Sequence, residues 1–325
     1  TPFEKLEAEG GKYEEIKNAT KAGVDIKTDV TNDSDTEATG VSVKSTVYNK
    51  ESDVISTQTD DITVAAGKTE TISQSVDVAN PKLWSVDSPN LYWVRTEIIQ
   101  NGKVVDRTDS RFGIRYIATN PNSGFYLNGV HTKLNGVCEH SDLGSLGMET
   151  YQAAVDRRIR TLKKYGVNAI RTSHNPVSPE FIEACDRLGM LVFEEAFDQW
   201  LYSKNSDDYH NYFNKAADGK TVVFDKAGND NTNNDTSYIE VKREDLQSNA
   251  ERDIKAMVDR DKNAPCIFAW STGNEIYDAR YKHGENTLDM LTGWIKEIDT
   301  TRPVAACPPT WDNYWANNAQ QEKHL

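Results

Sequence analysis

Polar side chains that can transfer protons or bind a polar substrate follow four short apolar runs of the sequence, each at the point where the run ends. The fourth run, IFAWS, leads to Asn274 and Glu275. The residues of this kind that follow the three earlier runs are Glu139, His140, Asp142, Arg171, Ser173, His174, Asn175, Glu194, Glu195, Asp198 and Trp200. The set contains no cysteine in a charged setting and no serine in a nucleophile elbow. It therefore favours acid and base chemistry on a polar substrate.

Glu275 is the candidate for the proton-transferring group. In glycoside hydrolysis one carboxyl group protonates the leaving oxygen, and a second one attacks the sugar or activates water. A glutamate at the end of a buried strand, among other carboxylates, suits the first role. Tryptophans offer flat apolar faces on which a sugar ring can stack, and the candidates are Trp200, Trp270, Trp311 and Trp315. The alternative for Glu275 is a structural ion pair at the end of its strand.

Other members of the set also allow a structural interpretation. Glu194 and Glu195 are consecutive on one predicted strand, so they point to opposite faces of the sheet. For the glutamate that faces the site, an ion pair with Arg171 explains its presence as well as catalysis does. His140 and His174 either line the site or act from behind it through hydrogen bonds. A solvated helix face explains the basic cluster of Arg157, Arg158 and Arg160.

The first hundred or so residues alternate between apolar and polar positions with a period of two. The clearest segments are VDIKTDVTN, GVSVKSTVYN, TETISQSVDV and LYWVRTEII. Turn signals such as NDSD and QNGK separate them. This pattern predicts about seven short strands between Lys12 and Arg115, in an immunoglobulin-like antiparallel sandwich. The segment carries no chemical motif, so we interpret it as a spacer domain.

From about Phe125 onward, predicted strands alternate with predicted helices. This alternation is typical of a parallel sheet, and the short buried strands resemble those that line a (β/α)₈ TIM barrel. The predicted helices are Glu149 to Tyr165, Pro179 to Leu188, Tyr238 to Arg260 and Asn286 to Ile298. About five βα units are present, so we expect a barrel truncated before its last three strands. The predicted domains are residues 1–118 and 119–325.

The composition excludes several classes of function. The net charge is −14, and the acidic residues are scattered along the chain, so nucleic acid is not an expected partner. No apolar run approaches the roughly 20 residues of a membrane span. The four cysteines are far apart and form no metal-ligand pattern, which predicts buried free thiols. Because the sequence begins without Met, we expect a soluble fragment or processed form of a longer polypeptide.

Several segments between Phe112 and Glu275 resemble glycoside hydrolase family 2, which includes β-galactosidases, β-glucuronidases and β-mannosidases. The matching segments are FGIRYI, FYLNGVHTKLNGVCEHSD, LKKYGVNAIRTSHNPVSPEFIEACDRLGMLVFEEAFDQW and MVDRDKNAPCIFAWSTGNE. An Asn-Glu dipeptide alone is weak evidence for the family, but the four segments together are specific to it. The resemblance implies an immunoglobulin-like domain followed by a TIM barrel, which covers the whole chain in outline.

The resemblance also implies roles for individual residues. Glu275 matches the general acid/base of the family, and Asn274 matches the amide that contacts the sugar 2-hydroxyl. His140 and His174 match histidines that line the sugar pocket. Arg171 matches an arginine at the end of the second barrel strand.

The segment EEAFDQW most resembles the branch of the family that contains β-galactosidases, in which the Asp and the Trp face the sugar. Asp198 and Trp200 are therefore predicted substrate contacts. The resemblance implies a retaining, exo-acting β-galactosidase whose partner is a β-galactoside. A β-glucuronidase or β-mannosidase of the same family remains an alternative, as does a noncatalytic carbohydrate-binding or structural module.

The sequence departs from the family pattern in two places. The family's nucleophile is a second Glu on a later barrel strand, and none of Glu285, Glu297 and Glu322 follows an apolar strand. We therefore expect this chain to be inactive by itself. Some members bind magnesium through a Glu and a His, where this sequence has Gln199 and Leu201, so we predict no catalytic metal and no cofactor.

An incomplete barrel leaves two strand edges open, and open edges favour association with another chain. Where no other chain covers these edges, we therefore expect the chain either to self-associate, as in a homo-oligomer, or to be poorly soluble. The resemblance fits a bacterial-type protein that is either cytoplasmic or secreted, and the sequence does not distinguish these compartments.

Overall fold

The computed structural model describes residues 19–120, 122–198, 200, 250–276 and 284–307. Within these ranges, an antiparallel sandwich precedes a parallel sheet that is flanked by helices. Two of the tryptophans proposed for sugar stacking, Trp311 and Trp315, lie outside the described residues.

The sandwich consists of two antiparallel sheets built from six strands. These are β1 (Lys21–Thr31), β2 (Ala38–Tyr48), β3 (Val54–Val64), β4 (Thr69–Ala79), β5 (Tyr92–Gln100) and β6 (Lys103–Phe112). One sheet pairs β1 with β4, and the other has the order β3-β2-β5-β6. The alternating apolar residues meet between the sheets, as at Ile26, Val47 and Val76.

Six strands lie in the described part of the sandwich, and residues 12–18 of the predicted range lie outside it, so the count of seven stays a prediction. The stretch between β4 and β5 contains Pro81 and Pro89, which have no backbone N–H to donate to a ladder. This stretch forms a single bridge, between Trp84 and Pro89, instead of a strand.

A small three-stranded sheet connects the sandwich to the parallel sheet. It consists of β7 (Ile117–Asn120), β8 (Gly124–Leu127) and β9 (Val130–His131). The ring of Phe125 lies 5.3 Å from that of Phe268, near the start of a barrel strand. The predicted domain boundary between residues 118 and 119 falls within β7, and it stays a prediction.

The parallel sheet contains five strands in sequence order. They are β10 (Gly136–His140), β11 (Ala169–Ser173), β12 (Leu191–Glu195), β13 (Ile267–Asn274) and β14 (Val304–Cys307). Sequential parallel neighbours joined by helices are the arrangement of the first part of a TIM barrel. β10 and β14 each have one neighbour among the described strands, and self-association through these edges stays a prediction.

In the described part of the chain, four α-helices lie beside this sheet: α1 (Gln152–Lys164), α2 (Pro179–Leu188), α3 (Ala250–Asp261) and α4 (Gly284–Ile298). The bounds of α2 agree with the sequence prediction, because its local signals are strong. Ser178 caps the first turn by accepting a hydrogen bond from the Phe181 N–H, and Gly189 ends the helix with a φ of 75°. Among the described helices, none has the length and apolar character that a membrane crossing requires.

The sandwich and the barrel share one hydrophobic core, which includes Trp84 from the sandwich. The Trp84 indole donates a 2.8 Å hydrogen bond to the backbone carbonyl of Asp186 in α2. The Asp186 carboxylate is fully buried, pairs with Arg111 of β6 at 2.8 Å, and accepts from the Cys266 N–H at 3.0 Å. Burial raises the pKa of Asp186, and Arg111 opposes that shift. This joint fixes the sandwich against the amino end of β13.

The cysteines agree only in part with the predicted buried thiols. Cys185 and Cys266 are free and buried, and burial raises the pKa of both thiols. Cys138 is free but exposed, so the prediction is wrong there. The physical reason is that Cys138 shares a face of β10 with His140, away from the flanking helices. The side chain of Cys307 lies outside the described residues.

Candidate active site

The polar residues singled out in the sequence lie at the carboxyl ends of four adjacent parallel strands. Glu139 and His140 end β10, Ser173 ends β11, Glu195 ends β12, and Asn274 ends β13. In a parallel α/β barrel these ends open onto one face, where substrates bind. The fold therefore brings together groups that are far apart in the sequence.

Glu195 lies at the centre of this face. Its side chain is fully buried, and its Oε2 accepts hydrogen bonds from Arg171 Nε at 2.8 Å and from Ser271 Oγ at 2.8 Å. The Arg171 Nη2 atom lies 2.6 Å from the same oxygen in an ion pair. Glu195 Oε1 lies 2.6 Å from His174 Nδ1. The Glu195 N–H donates to Thr172 Oγ1 at 2.8 Å, which fixes the backbone as well. The predicted ion pair between Arg171 and one of the paired glutamates is therefore confirmed.

Asn274 is held between a cation and an anion. Arg171 Nη2 donates to Asn274 Oδ1 at 2.9 Å, and Asn274 Nδ2 donates to Asp198 Oδ1 at 2.7 Å. Both ends of the amide thus have charged partners, which fixes its orientation. Hydrogen bonds connect Glu195, Arg171, Asn274 and Asp198 in one chain across three strands.

The end of β13 has an unusual backbone that delivers Asn274 and Glu275. Gly273 has a φ of 144°, and a Cβ there would lie 2.2 Å from the backbone oxygen of Phe197. The pairing of β13 with β14 is irregular between Ser271 and Asn274. Glu275 itself has a left-handed φ of 47° and is half-buried. The Thr-Gly-Asn-Glu sequence therefore needs its glycine for a close approach of two backbones.

The two predicted site histidines lie next to each other. The rings of His140 and His174 are 5.4 Å apart in an edge-to-face arrangement. The side chain of Asn175 donates to Ser141 Oγ at 2.9 Å, which ties the loops after β10 and β11 together. The peptide bond between Ser173 and His174 is cis. Both imidazoles thus belong to the same part of the barrel mouth.

The expectation that Arg158 lies on a solvated helix face is wrong. Arg158 reaches from α1 to the end of β10, where it pairs with Glu139 at 3.0 Å. It also donates to the backbone carbonyl of Asp142. No motif marks this role, but the arginine lies three residues after the buried Val155 and directly before the buried Ile159, which is a signal for proximity to the sheet. Arg158 therefore holds the loop that follows His140.

Neither of the described stacking candidates exposes its ring. Trp270 is fully buried, its indole donates to Asp299 Oδ2 at 2.8 Å, and Arg302 lies over the ring. The stacking hypothesis is wrong for Trp270, because the residue points from β13 into the helix layer. Trp200 is 2% exposed and donates to the Thr272 carbonyl at 2.7 Å. It packs edge-to-face against Phe197, and its contact with substrate stays a prediction.

Glu194 faces away from the site, as strand alternation requires. It is fully buried beside Asp261 and 3.4 Å from Arg260. Burial and the neighbouring carboxylate of Asp261 raise its pKa well above the ordinary value. This position makes Glu194 part of the contact between the sheet and α3.

The predictions about a catalytic metal and about a second catalytic Glu concern residues that the structure describes only in part. Within the described ranges, no cluster of His, Cys, Asp and Glu side chains is arranged to hold a metal ion. Gln199 and Leu201 lie outside those ranges. Glu297 lies on α4 and pairs with Lys255, and Glu285 belongs to the same helix. Glu322 is also outside the described residues.

Family models match both parts of the chain. The model described as "Glycosyl hydrolases family 2, TIM barrel domain" matches residues 120–319, and "Glycosyl hydrolases family 2" matches residues 12–115. The chain belongs to glycoside hydrolase family 2. The predicted fold class, a sandwich followed by part of a TIM barrel, is confirmed with it.

Individual family members share this architecture and much of the sequence. A β-galactosidase of Bacteroides ovatus is 32% identical over 317 residues, which cover 88% of this chain and 33% of that protein. A solved family 2 structure from Bacteroides cellulosilyticus has a TM-score of 0.76 and 33% identity, covering 91% of this chain and 34% of that one. A β-glucuronidase structure from Bacteroides uniformis has a TM-score of 0.68 and 25% identity, covering 89% of this chain and 32% of that one. The chain thus spans about a third of the length of these relatives.

Proposed function

We propose that the polypeptide containing this chain hydrolyses terminal β-D-galactosides by a retaining double displacement, with Glu275 as general acid/base. The observation that carries the proposal is the position of Glu275. It directly follows β13 at the carboxyl end of the sheet, beside an amide fixed by Arg171 and Asp198. In this mechanism Glu275 first protonates the leaving oxygen and later deprotonates the attacking water.

The proposed substrate contacts are the groups around Glu275. Asn274 hydrogen-bonds the sugar 2-hydroxyl near the cleaved bond, and Arg171 keeps its amide in place. His140 and His174 line the sugar pocket. Asp198 and Trp200 complete the proposed set, Asp198 by accepting a sugar hydroxyl and Trp200 by bounding the pocket. Hydrogen bonds to a 2-hydroxyl strengthen in the transition state of glycoside hydrolysis, which gives Asn274 a part in the rate.

The charge of the described mouth supports an uncharged sugar. Its two arginines, Arg158 and Arg171, are paired with Glu139 and Glu195. The mouth also carries the carboxylates of Asp142, Asp198 and Glu275. A sugar carboxylate would therefore meet net negative charge, which disfavours its binding. The Bacteroides ovatus relative is a β-galactosidase, in agreement with a neutral sugar.

The nucleophile of the proposed reaction is a second Glu that we expect outside the 325 residues. Retaining hydrolysis requires two carboxyl groups about 5 to 5.5 Å apart, on opposite sides of the scissile bond. The chain spans about a third of the length of its Bacteroides ovatus relative, and we place the second group in a part of the full-length polypeptide that corresponds to the unmatched remainder. By this proposal the chain alone is inactive.

Replacing Glu275 by Ala in the full-length polypeptide tests the acid/base role. We expect turnover of substrates with poor leaving groups to fall by roughly 10²- to 10⁴-fold, because general acid catalysis contributes about that much. Activated aryl galactosides should lose less, and azide should restore part of their turnover. Glu297→Ala, which removes a solvent-exposed helix carboxylate, is the control and should leave activity unchanged. Full activity of Glu275→Ala on poor leaving groups would overturn the assignment.

Comparing aryl β-galactoside, β-glucuronide and β-mannoside hydrolysis by the same polypeptide tests the substrate. A second candidate, β-glucuronidase activity, has support from the Bacteroides uniformis structure. Preference for the glucuronide would reject the charge argument while keeping the acid/base role. A folded full-length polypeptide that binds galactose in calorimetry but cleaves none of the three would favour a noncatalytic carbohydrate-binding module.

A further inference from the structure

The carboxylate of Glu195 has no part in the proposed mechanism so far, although three side chains of the described site contact it. It is fully buried, so it needs several donors to offset the loss of hydration. Arg171, His174 and Ser271 supply them, from β11, from the residue after β11 and from β13. These donors converge on one acceptor from two strands that both neighbour β12.

The contact with His174 determines where the imidazole carries its proton. An ionised carboxylate can only accept hydrogen bonds, so His174 Nδ1, at 2.6 Å from Glu195 Oε1, must be the donor. When the ring is neutral, the remaining nitrogen, Nε2, is then the acceptor. A histidine in this tautomer can accept a hydrogen bond from a sugar hydroxyl. The opposite tautomer would offer an N–H instead.

The contact with Arg171 acts on the other half of the site. Arg171 uses Nε and Nη2 for Glu195, and the same Nη2 reaches Asn274 Oδ1 at 2.9 Å. The two-point contact with the carboxylate fixes the plane of the guanidinium. That plane in turn fixes the amide beside Glu275.

We propose that Glu195 is the positioning residue of this site: it keeps a proton on His174 Nδ1 and orients Arg171 toward Asn274. It contacts no reacting atom in this scheme and acts through those two side chains. The consequence for catalysis rests on the proposed glycosidase function. The consequence for the protonation of His174 does not.

The chain supplies a matched control, because Glu194 is the adjacent residue, is equally buried and faces the opposite side of the sheet. Glu195→Gln keeps the shape of the side chain but can present an amide N–H to either partner. Glu194→Gln makes the same chemical change against α3, away from the site. If the change in the histidine tautomer or in kcat/KM came only from altering a buried glutamate of β12, it would appear in both variants.

Nitrogen-15 NMR of the histidine side chains in the full-length polypeptide reads the protonation directly, with the His174 signal assigned by its loss in His174→Asn. We expect Nδ1 to carry the proton of the neutral ring in wild type. We expect Glu194→Gln to keep this pattern. Glu195→Gln should lose it, with a mixture of tautomers once the ring is neutral.

A neutral His174 protonated on Nε2 in wild type would overturn the proposal, even if Glu195→Gln did not fold. An unchanged tautomer in a folded Glu195→Gln would overturn it as well. In the full-length polypeptide, Glu195→Gln should lower kcat/KM by about 100-fold, the scale of losing two charge-assisted hydrogen bonds, and Glu194→Gln should leave it unchanged. Equal losses in both variants would reduce Glu195 to a structural role.

The proposed glycosidase function and the positioning role of Glu195 can be refuted independently of each other. If the full-length wild type cleaves no glycoside while the NMR results are as expected, the hydrolase assignment fails and the positioning role of Glu195 stands. If glycosides are cleaved and the tautomer is the opposite one, the proposed function stands and the positioning role fails.

Discussion

Gly273→Ala tests whether the end of β13 needs a residue without a side chain. A methyl group at this position would lie 2.2 Å from the Phe197 backbone oxygen and 3.2 Å from Trp200 Nε1. The Phe197 carbonyl also accepts the Asn274 N–H at 3.3 Å. The substitution therefore acts on the backbone that carries Asn274 and Glu275.

The expected cost has two parts. A φ of 144° in a residue with a Cβ carries a backbone strain of about 1 to 3 kcal/mol. The added methyl carbon and the Phe197 oxygen need roughly 1 Å more separation than they would have, so the Phe197 carbonyl must move. This movement weakens the hydrogen bond from the Asn274 N–H, which costs about 1 kcal/mol. Together these give a destabilisation of about 2 to 4 kcal/mol.

Differential scanning calorimetry of three glycine variants separates these two parts. Gly166, after α1, has a φ of 84° but nothing within 4 Å of the position that an added methyl group would take, so Gly166→Ala carries backbone strain alone. Gly293 lies inside α4 with open space and no positive φ, so Gly293→Ala should raise the unfolding temperature, since Ala favours a helix by about 1 kcal/mol. We expect the unfolding temperature to rise in the order Gly273→Ala, Gly166→Ala, wild type, Gly293→Ala.

The order of the two strained glycines decides the test. If Gly273→Ala unfolds at or above the temperature of Gly166→Ala, the close approach between Gly273 and Phe197 does not restrict this strand end. The same result would remove the reason given for a glycine before Asn274. If only Gly273→Ala lowers the unfolding temperature and Gly166→Ala stays near wild type, the steric contact contributes more to the cost than the φ strain does.

Two further predictions concern the joint and the helix layer. Trp84→Phe should lower the free energy of unfolding by about 1 to 2 kcal/mol in urea titrations, because the buried Asp186 carbonyl loses its indole donor. The control is Trp93→Phe, at a half-buried position of the same sandwich, which should lower the free energy of unfolding by less. Equal decreases in the two variants would contradict the role of the hydrogen bond. Burial raises the pKa of Asp299, but Arg302 and hydrogen bonds from Thr301 and Trp270 outweigh this and lower it from 3.8 to about 2. The resulting stabilisation, about 2 kcal/mol, is present above pH 3.8 and lost as the pH falls toward 2, so thermal unfolding of Asp299→Asn should depend less on pH in this range than that of wild type.

Regular elements with strong local signals were predictable from the sequence. The period-two pattern marked the sandwich strands, and the predicted helix from Pro179 to Leu188 has the bounds of α2, where the structure shows caps at Ser178 and Gly189. The form of the stretch between β4 and β5 was not predictable from the pattern alone. The stretch between β4 and β5 has apolar residues, but its prolines and its packing against α2 keep it irregular.

The candidate site was predictable as a set of residues but not as an arrangement. The rule that parallel strands open onto one face brought His140, Arg171, Glu195 and Asn274 together correctly. It did not tell which tryptophan faces which layer, and Trp270 proved to lie on the helix side. It also gave no reason to connect Arg158, on a helix, with the loop after β10.

The sequence by itself determined the order of the elements, the family, and the residues that stand at the strand ends, because local periodicity and motif spacing are properties of the chain. Only the tertiary structure decided which of the paired glutamates faces the site and what it holds. Strand alternation requires opposite faces for Glu194 and Glu195, but the assignment depends on partners in other strands. Arg171 lies 24 positions from Glu195 and 103 from Asn274, and packing of β11, β12 and β13 side by side brings these groups within hydrogen-bond distance.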